Sequence, residues 1–109
     1  MNPRKILTDS FHAAVAAADP LKIVAAHLPK PPKGRTLVVG AGKAAASMAR
    51  AVELAWPSNH TIEGLVVTRY AHGMDTDHIR VVEAGHPVPD GAGEAAAAEI
   101  LSLDRKSVV

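Results

Sequence analysis

The sequence predicts an α/β fold: a partial Rossmann-like open sheet of about three strands with flanking helices, preceded by a helical N-terminal segment. Short apolar runs rich in β-branched residues recur at 35–39, 62–68 and 79–83, as buried strands require. Stretches with apolar residues at helical spacing flank these runs, and a glycine-rich turn follows the first of them. The order strand, helix, strand, loop, strand, helix is typical of the start of an open α/β sheet.

The first 34 residues predict a helical segment and a linker. Apolar residues recur at helical spacing through 3–18, which predicts the first helix. Asp19 then supplies a cap, and Pro20 the first position of a short second helix that ends near residue 28. The proline-rich stretch 29–34 suits neither a helix nor a central strand, so it predicts a stiff linker.

The α/β domain is predicted to occupy residues 35–103. A helix over 43–55, ended by Trp56-Pro57, joins the first two strands. Such a connection predicts that these strands run parallel with a right-handed crossover, whereas the direction of the third strand stays open. Asp90 is suited to cap a final helix that ends at about residue 103.

The composition excludes several classes of function. The 109 residues carry a net charge of +1 and one residue each of Trp, Tyr and Phe, so neither a phosphate-backbone footprint nor a base-stacking platform is expected. The absence of cysteine excludes disulfides and thiolate sites, and no histidine pair has metal-ligand spacing. No apolar run approaches the roughly 20 residues that span a bilayer. We expect a cytoplasmic protein with a small-molecule ligand, and no nucleic acid, membrane or protein-held metal.

The segment Gly40-Ala41-Gly42-Lys43 is the strongest functional signal. Glycines allow a tight strand-to-helix turn and close approach of a ligand, and the free N–H groups at a helix start attract anions. We therefore predict that Gly40 and Gly42 bind a cofactor. A lysine in the first helical turn opposes the helix dipole at a cost of about 0.3–1 kcal/mol when exposed. Lys43 thus indicates an anion shared with the helix start; a solvated lysine is the alternative.

A nicotinamide cofactor has weaker support. Gly40, Gly42 and Ala45 satisfy the loose dinucleotide pattern G-x-G-x-x-G/A. That pattern also needs an acidic residue at the end of the second strand, whereas Glu63 lies at the start of that strand. The strand ends at Arg69 instead, which argues against NAD, although Arg69 could meet the extra phosphate of NADP.

Two loops that contain histidines follow the second and third strands. Arg69 and His72 belong to the first of these loops, and His86 to the second. Loops beyond the carboxyl ends of strands gather round the ligand in open α/β sheets. If all three strands are parallel, these residues share one edge with Lys43, where they could bind an anion or carry protons. The alternative is that His72 is an ordinary loop histidine and that His86 only packs between the prolines of its turn.

Three segments carry a family resemblance: 37–45 with the glycine-rich turn, 64–73 with the first histidine, and 83–90 with the sequence Gly85-His86-Pro87. In this order and spacing they resemble the N-terminal domain of the glycerate 2-kinase family, a group also labelled hydroxypyruvate reductase. The resemblance implies ATP-dependent phosphorylation of D-glycerate at its 2-hydroxyl, giving 2-phosphoglycerate, with a divalent cation such as Mg²⁺. It places the family's catalytic lysine on Lys43, which suits a reaction that depends on positioning and charge neutralisation.

The chain also departs from that family. Members are several times longer, and their second domain and later glycine- and serine-rich segments have no counterpart here. The tail 104–109 does not follow the family pattern either. We therefore expect the isolated chain to turn over no substrate. Two alternatives stay open: an NAD(P)H-dependent hydroxypyruvate reductase, and a non-enzymatic anion-binding module.

Overall fold

A computed structural model describes residues 2–106, the side chain of Lys106 excepted. The elements in chain order are α1 (Pro3–Ala17), α2 (Pro20–Ile23) with a 3₁₀ turn (Val24–His27), β1 (Leu37–Ala41), α3 (Ala45–Ala55), β2 (Glu63–Arg69), β3 (Ile79–Ala84) and α4 (Gly91–Lys106). The three strands form one open sheet. This architecture confirms the predicted fold class.

The sheet has the order β1-β2-β3, and both strand pairs are parallel. The direction of the third strand, which the sequence left open, is therefore the same as that of the other two. In the central strand Gly64 lies opposite Val38, so close that a Cβ atom would overlap the Val38 carbonyl oxygen. A glycine here lets the first two strands approach each other.

Helices cover both faces of the sheet. On one face Val66 and Ile79 pack with Ala49 of α3. Because side chains alternate along a strand, Arg80 points to the other face, where it pairs with Glu99 of α4. Each face of β2 is thus shielded by one helix.

The connection between β2 and β3, residues 70–78, contains no helix. Two side chains of α3 hold it instead: the Arg50 guanidinium donates to the Asp75 carbonyl oxygen (2.9 Å), and the Glu53 carboxylate accepts the three successive N–H groups of residues 77–79 (2.6–2.8 Å). Partial burial raises the pKa of Glu53, but these three hydrogen bonds outweigh it, so the pKa lies below its ordinary value.

Several element boundaries differ from the predicted ones. β1 continues through Ala41, because it stays paired with β2 as far as Val67. α3 begins at Ala45 rather than at residue 43, because residues 42–44 form the turn between β1 and α3. The last helix runs to Lys106 instead of ending near residue 103. Of the predicted tail, residues 107–109 lie outside the described residues.

α1 lies apart from the sheet and has no buried residue. Asn2 caps it by accepting from the N–H groups of Arg4 (3.0 Å) and Lys5 (3.3 Å). Its apolar stripe is exposed to solvent and includes Leu7 and Phe11. None of the helices within residues 2–106 combines the length and apolar character needed to cross a membrane.

Candidate functional site

Gly42 turns the chain from β1 into α3. Its φ of 139° lies in a region that residues with a side chain rarely adopt. The Gly42 N–H donates to the Val67 carbonyl oxygen (3.0 Å), and the Gly42 carbonyl oxygen accepts from the Ala45 N–H (3.2 Å). The turn is therefore fastened to the central strand on one side and to the helix on the other.

Lys43 is exposed and lies between Gly42 and Ala44, the N-cap of α3. The sequence predicted that Lys43 occupies the first helical turn. This prediction is wrong, because α3 begins two residues later, at Ala45. Its backbone is held firmly, since the hydroxyl of Thr68 donates to the Lys43 carbonyl oxygen (3.3 Å) and Thr68 is only 3% exposed. The lysine side chain thus projects from a fixed point at the mouth of the β1–α3 crossover.

The start of α3 differs from the other helix starts within the described chain. Side-chain oxygens of Asn2, Asp19 and Asp90 accept first-turn N–H groups of α1, α2 and α4. Ala44 offers α3 no such side chain. The Ala45 N–H already donates to the Gly42 carbonyl oxygen, so within the first turn of α3 the N–H groups of Ala46 and Ser47 are the ones without a side-chain cap, the kind of position at which helices bind anions.

A cavity of about 460 Å³ opens between β1 and α3 beside this turn. Its lining comprises Val38, Val39, Gly40, Ala41, Gly42, Lys43, Ala44, Ala45, Met48, Ala49, Val52 and Val66. Among residues 2–106, Lys43 is the one charged residue in this lining. A volume of this size suits a small molecule, and the chemistry suits one with an apolar body and an anionic group.

Arg69, His72 and His86 lie at the carboxyl ends of β2 and β3, and all three are exposed. Since the strands are parallel, the structure brings them to the same edge of the sheet as Lys43. None of the three lines the cavity at the glycine-rich turn. The edge therefore carries two neighbouring parts: the turn with Lys43, and the loops with the arginine and the two histidines.

The loop after β2 is shaped by a carboxylate that the sequence did not single out. The N–H of Ala71, whose φ is 67°, donates to Glu83 on β3 (3.0 Å). The His72 N–H donates to the Arg69 carbonyl oxygen (3.0 Å). Glu83 looked like an ordinary strand residue, and no local pattern in the sequence marked its contact with the neighbouring loop.

The prediction that Asp90 caps the last helix is confirmed, and its carboxylate accepts further hydrogen bonds. Its Oδ1 accepts from the N–H groups of Gly93 and Gly85 (both 3.1 Å), and its Oδ2 accepts from the Tyr70 hydroxyl (2.7 Å). The Tyr70 hydrogen bond and the two backbone N–H groups lower the pKa of Asp90. The same hydrogen bond raises the pKa of Tyr70. The sequence predicted the helix cap but not the contacts of Asp90 with Tyr70 and Gly85.

The described residues offer no preformed metal site, since no three side chains of His, Cys, Asp or Glu within 2–106 come close enough to hold an ion. This part of the chain therefore holds no cluster of three such side chains for the Mg²⁺ that the resemblance implies.

Comparison with known proteins identifies the chain's relatives. Residues 6–107 match the family described as "Domain of unknown function (DUF4147)". The chain belongs to this family. A protein of Agrobacterium vitis that carries the name hydroxypyruvate reductase is 48% identical to this chain over 102 residues. These residues cover 94% of this chain and 23% of that protein.

Relatives named as kinases are similar over the same region. A D-glycerate 2-kinase of Thermotoga maritima is 35% identical over 88 residues, covering 80% of this chain and 21% of the kinase. A crystal structure of a glycerate kinase from the same organism matches with a TM-score of 0.73 at 31% identity, covering 91% of this chain and 24% of the other. The resemblance to the glycerate 2-kinase family is confirmed. The chain spans about a quarter of the length of these relatives.

Proposed function

We propose that the chain is the N-terminal part of a glycerate 2-kinase, whose whole protein transfers a phosphoryl group from ATP to the 2-hydroxyl of D-glycerate. One observation carries the proposal: Lys43 stands beside the uncapped start of α3, at the mouth of a cavity to which the described part of the chain contributes no other charged residue. The names of the kinase relatives supply the substrate.

In this reaction a bond forms between the 2-hydroxyl oxygen and phosphorus, and the bond from phosphorus to the leaving oxygen of ADP breaks. When bound, ATP supplies the phosphoryl group. The ammonium of Lys43 and the N–H groups at the start of α3 that have no side-chain cap neutralise charge on the transferring group. Gly40 and Gly42 let a ligand approach the backbone, because they have no side chains.

D-glycerate is assigned to the loops at the same edge. Arg69 supplies a cation for its carboxylate, and His72 and His86 are the candidates to accept the proton that leaves the hydroxyl. All three are exposed and lie past the ends of their strands. This assignment leaves the glycine-rich turn to the phosphoryl group and the loops to the acceptor.

A hydroxypyruvate reductase is the second candidate, because the Agrobacterium relative carries that name and the turn keeps the loose dinucleotide pattern. The position of Glu63 argues against it. Glu63 opens β2 and pairs with Arg35, at the opposite end of the strand from the turn. The carboxyl end of β2, where a ribose-binding acid belongs, carries Arg69.

Within the parent protein, residues 1–34 form the helical segment and linker, and residues 35–103 form the partial Rossmann-like domain. We place the protein in the cytoplasm. The isolated chain is expected to be inactive, because the rest of the nucleotide site lies in the second domain that family resemblance implies.

A chimera tests this function. Residues 1–106 replace the matching quarter of the Agrobacterium relative, and the purified protein is assayed with ATP and D-glycerate, and separately with NADH or NADPH and hydroxypyruvate. We expect 2-phosphoglycerate in the first assay only. Lys43→Ala is expected to lower kcat by about 100-fold or more, as loss of a charge-stabilising group does.

Lys33→Ala is the matched control, because Lys33 is an exposed lysine in the linker, and it should leave kcat unchanged. Cofactor oxidation without ATP-dependent product would establish the reductase instead. Equal effects of the two lysine substitutions in a folded chimera would refute the role of Lys43.

A further inference from the structure

The carboxylate of Asp90 joins three separate segments. It accepts from the hydroxyl of Tyr70 in the loop after β2, from the N–H of Gly85 in the loop after β3, and from the N–H of Gly93 in the first turn of α4. Capping the helix requires only the last of these. The other two bonds connect the loops that carry the candidate substrate contacts.

The geometry around this carboxylate is tight. A Cβ atom at Gly85 would lie 2.5 Å from the Val88 carbonyl oxygen and 3.0 Å from the Asp90 carboxyl group. The loop after β3 therefore closes on itself around Asp90 and cannot take a side chain at its first position. Tyr70 reaches this closed loop from the loop after β2.

A second carboxylate fastens the loop after β2 to strand β3. Glu83 on β3 accepts from the Ala71 N–H, and a Cβ atom at Gly73 would overlap its carboxylate. The loop after β2 is thus held at Tyr70 by one acid and at Ala71 by another. Both carboxylates accept hydrogen bonds from N–H or O–H groups of the chain. Their negative charge is thereby partly offset at the edge of the sheet that is proposed to bind an anion.

We propose that Tyr70 and Asp90 are positioning residues that lock the loop after β2 to the loop after β3, so that Arg69, His72 and His86 form one preorganised substrate rim. The inference rests on the proposed function, because it takes D-glycerate as the ligand of that rim. Preorganised contacts bind more tightly, since the loops lose less freedom when the ligand arrives.

Amide NMR on the 109-residue chain tests the lock. Hydrogen exchange is measured at Ala71 and Gly85, together with the shifts of the His72 and His86 signals during titration with D-glycerate. The variants are Tyr70→Phe, which removes one hydroxyl, and Asp90→Asn. The control is Glu99→Gln, which alters another side-chain bond between β3 and α4 away from these loops.

We expect Tyr70→Phe to speed exchange at Gly85 in the other loop as well as at Ala71, and to weaken D-glycerate binding by about tenfold, the effect of losing one hydrogen bond of ordinary strength. Asp90→Asn should act in the same direction and Glu99→Gln should do neither. Exchange that rises only in the loop of Tyr70 would overturn the lock.

The ligand arm separates this inference from the proposed function. A native chain whose His72 and His86 signals ignore D-glycerate would refute the substrate rim, and the positioning role with it. If the Tyr70→Phe variant binds D-glycerate as tightly as the native chain does, the positioning role alone is refuted.

Discussion

Gly40 and Gly42 form one motif in the sequence but have different physical roles. Gly42 has a φ of 139°, so the backbone itself requires a glycine. Gly40 has no positive φ, and a Cβ atom there would make an ordinary 3.7 Å contact with Val66. Gly42 is thus a requirement of the turn, whereas Gly40 leaves space in the cavity that it lines.

These roles predict different costs for the same substitution. Gly42→Ala should lower the free energy of unfolding by about 1–3 kcal/mol, because alanine is forced into a disfavoured φ. Gly40→Ala should change it by less than about 0.5 kcal/mol. Urea denaturation of the two variants measures both values, and equal losses would contradict the assignment of the turn to Gly42.

At the scale of elements, α3 does more than cover the sheet. Arg50 and Glu53 lie one helical turn apart and together satisfy four backbone groups of the connection between β2 and β3. In the sequence they look like the solvated face of an amphipathic helix. Only the packing of α3 against a helix-free connection gives them partners.

Glu53→Ala is therefore expected to lower the free energy of unfolding by about 2 kcal/mol, because a charged acceptor of backbone N–H groups is lost. Glu99→Ala removes an exposed ion pair with Arg80 and should cost less than about 1 kcal/mol. Thermal or urea unfolding of both variants checks the difference. A cost for Glu53→Ala no greater than for Glu99→Ala would show that the connection does not depend on this carboxylate.

The lowered pKa of Glu53 also sets a pH dependence. The unfolded chain binds the proton first, near the ordinary glutamate value of about 4.3. The contribution of Glu53 is thus complete above that pH and is lost as the pH falls through the lower folded pKa. Unfolding curves from pH 6 to pH 2 should show a shallower loss of stability in Glu53→Ala than in the native chain. Parallel curves would contradict the hydrogen-bonded carboxylate.

At the scale of the whole molecule, the sequence predicted the order of elements well because apolar runs and helical spacing are local properties. The end of β1 was misplaced, since Gly40 and Ala41 look like turn residues and are held in the strand only by their pairing with β2. The shared edge of Lys43 and the histidine loops depended on the direction of β3, a long-range property. The contact of Tyr70 with Asp90 had no sequence signal, because it joins residues 20 positions apart.

The distribution of buried residues predicts where stability resides. The core lies in the sheet with α3 and α4, whereas α1 buries none of its residues. Phe11 is 64% exposed and Leu65 is 0% exposed. Phe11→Ser should change the free energy of unfolding by less than about 0.5 kcal/mol, and Leu65→Ala should cost about 2–5 kcal/mol. A loss above 1 kcal/mol for Phe11→Ser would place α1 in the cooperative core.

The central claim is that an anion binds where Lys43 meets the start of α3. Titration of the native chain with inorganic phosphate, followed through the backbone amide NMR signals of residues 42–46, tests it most directly. We expect saturable shifts at these amides, weakened about tenfold or more in Lys43→Ala and unchanged in Lys33→Ala. Amide signals that do not respond to phosphate, or that respond equally in the two variants, would contradict the claim.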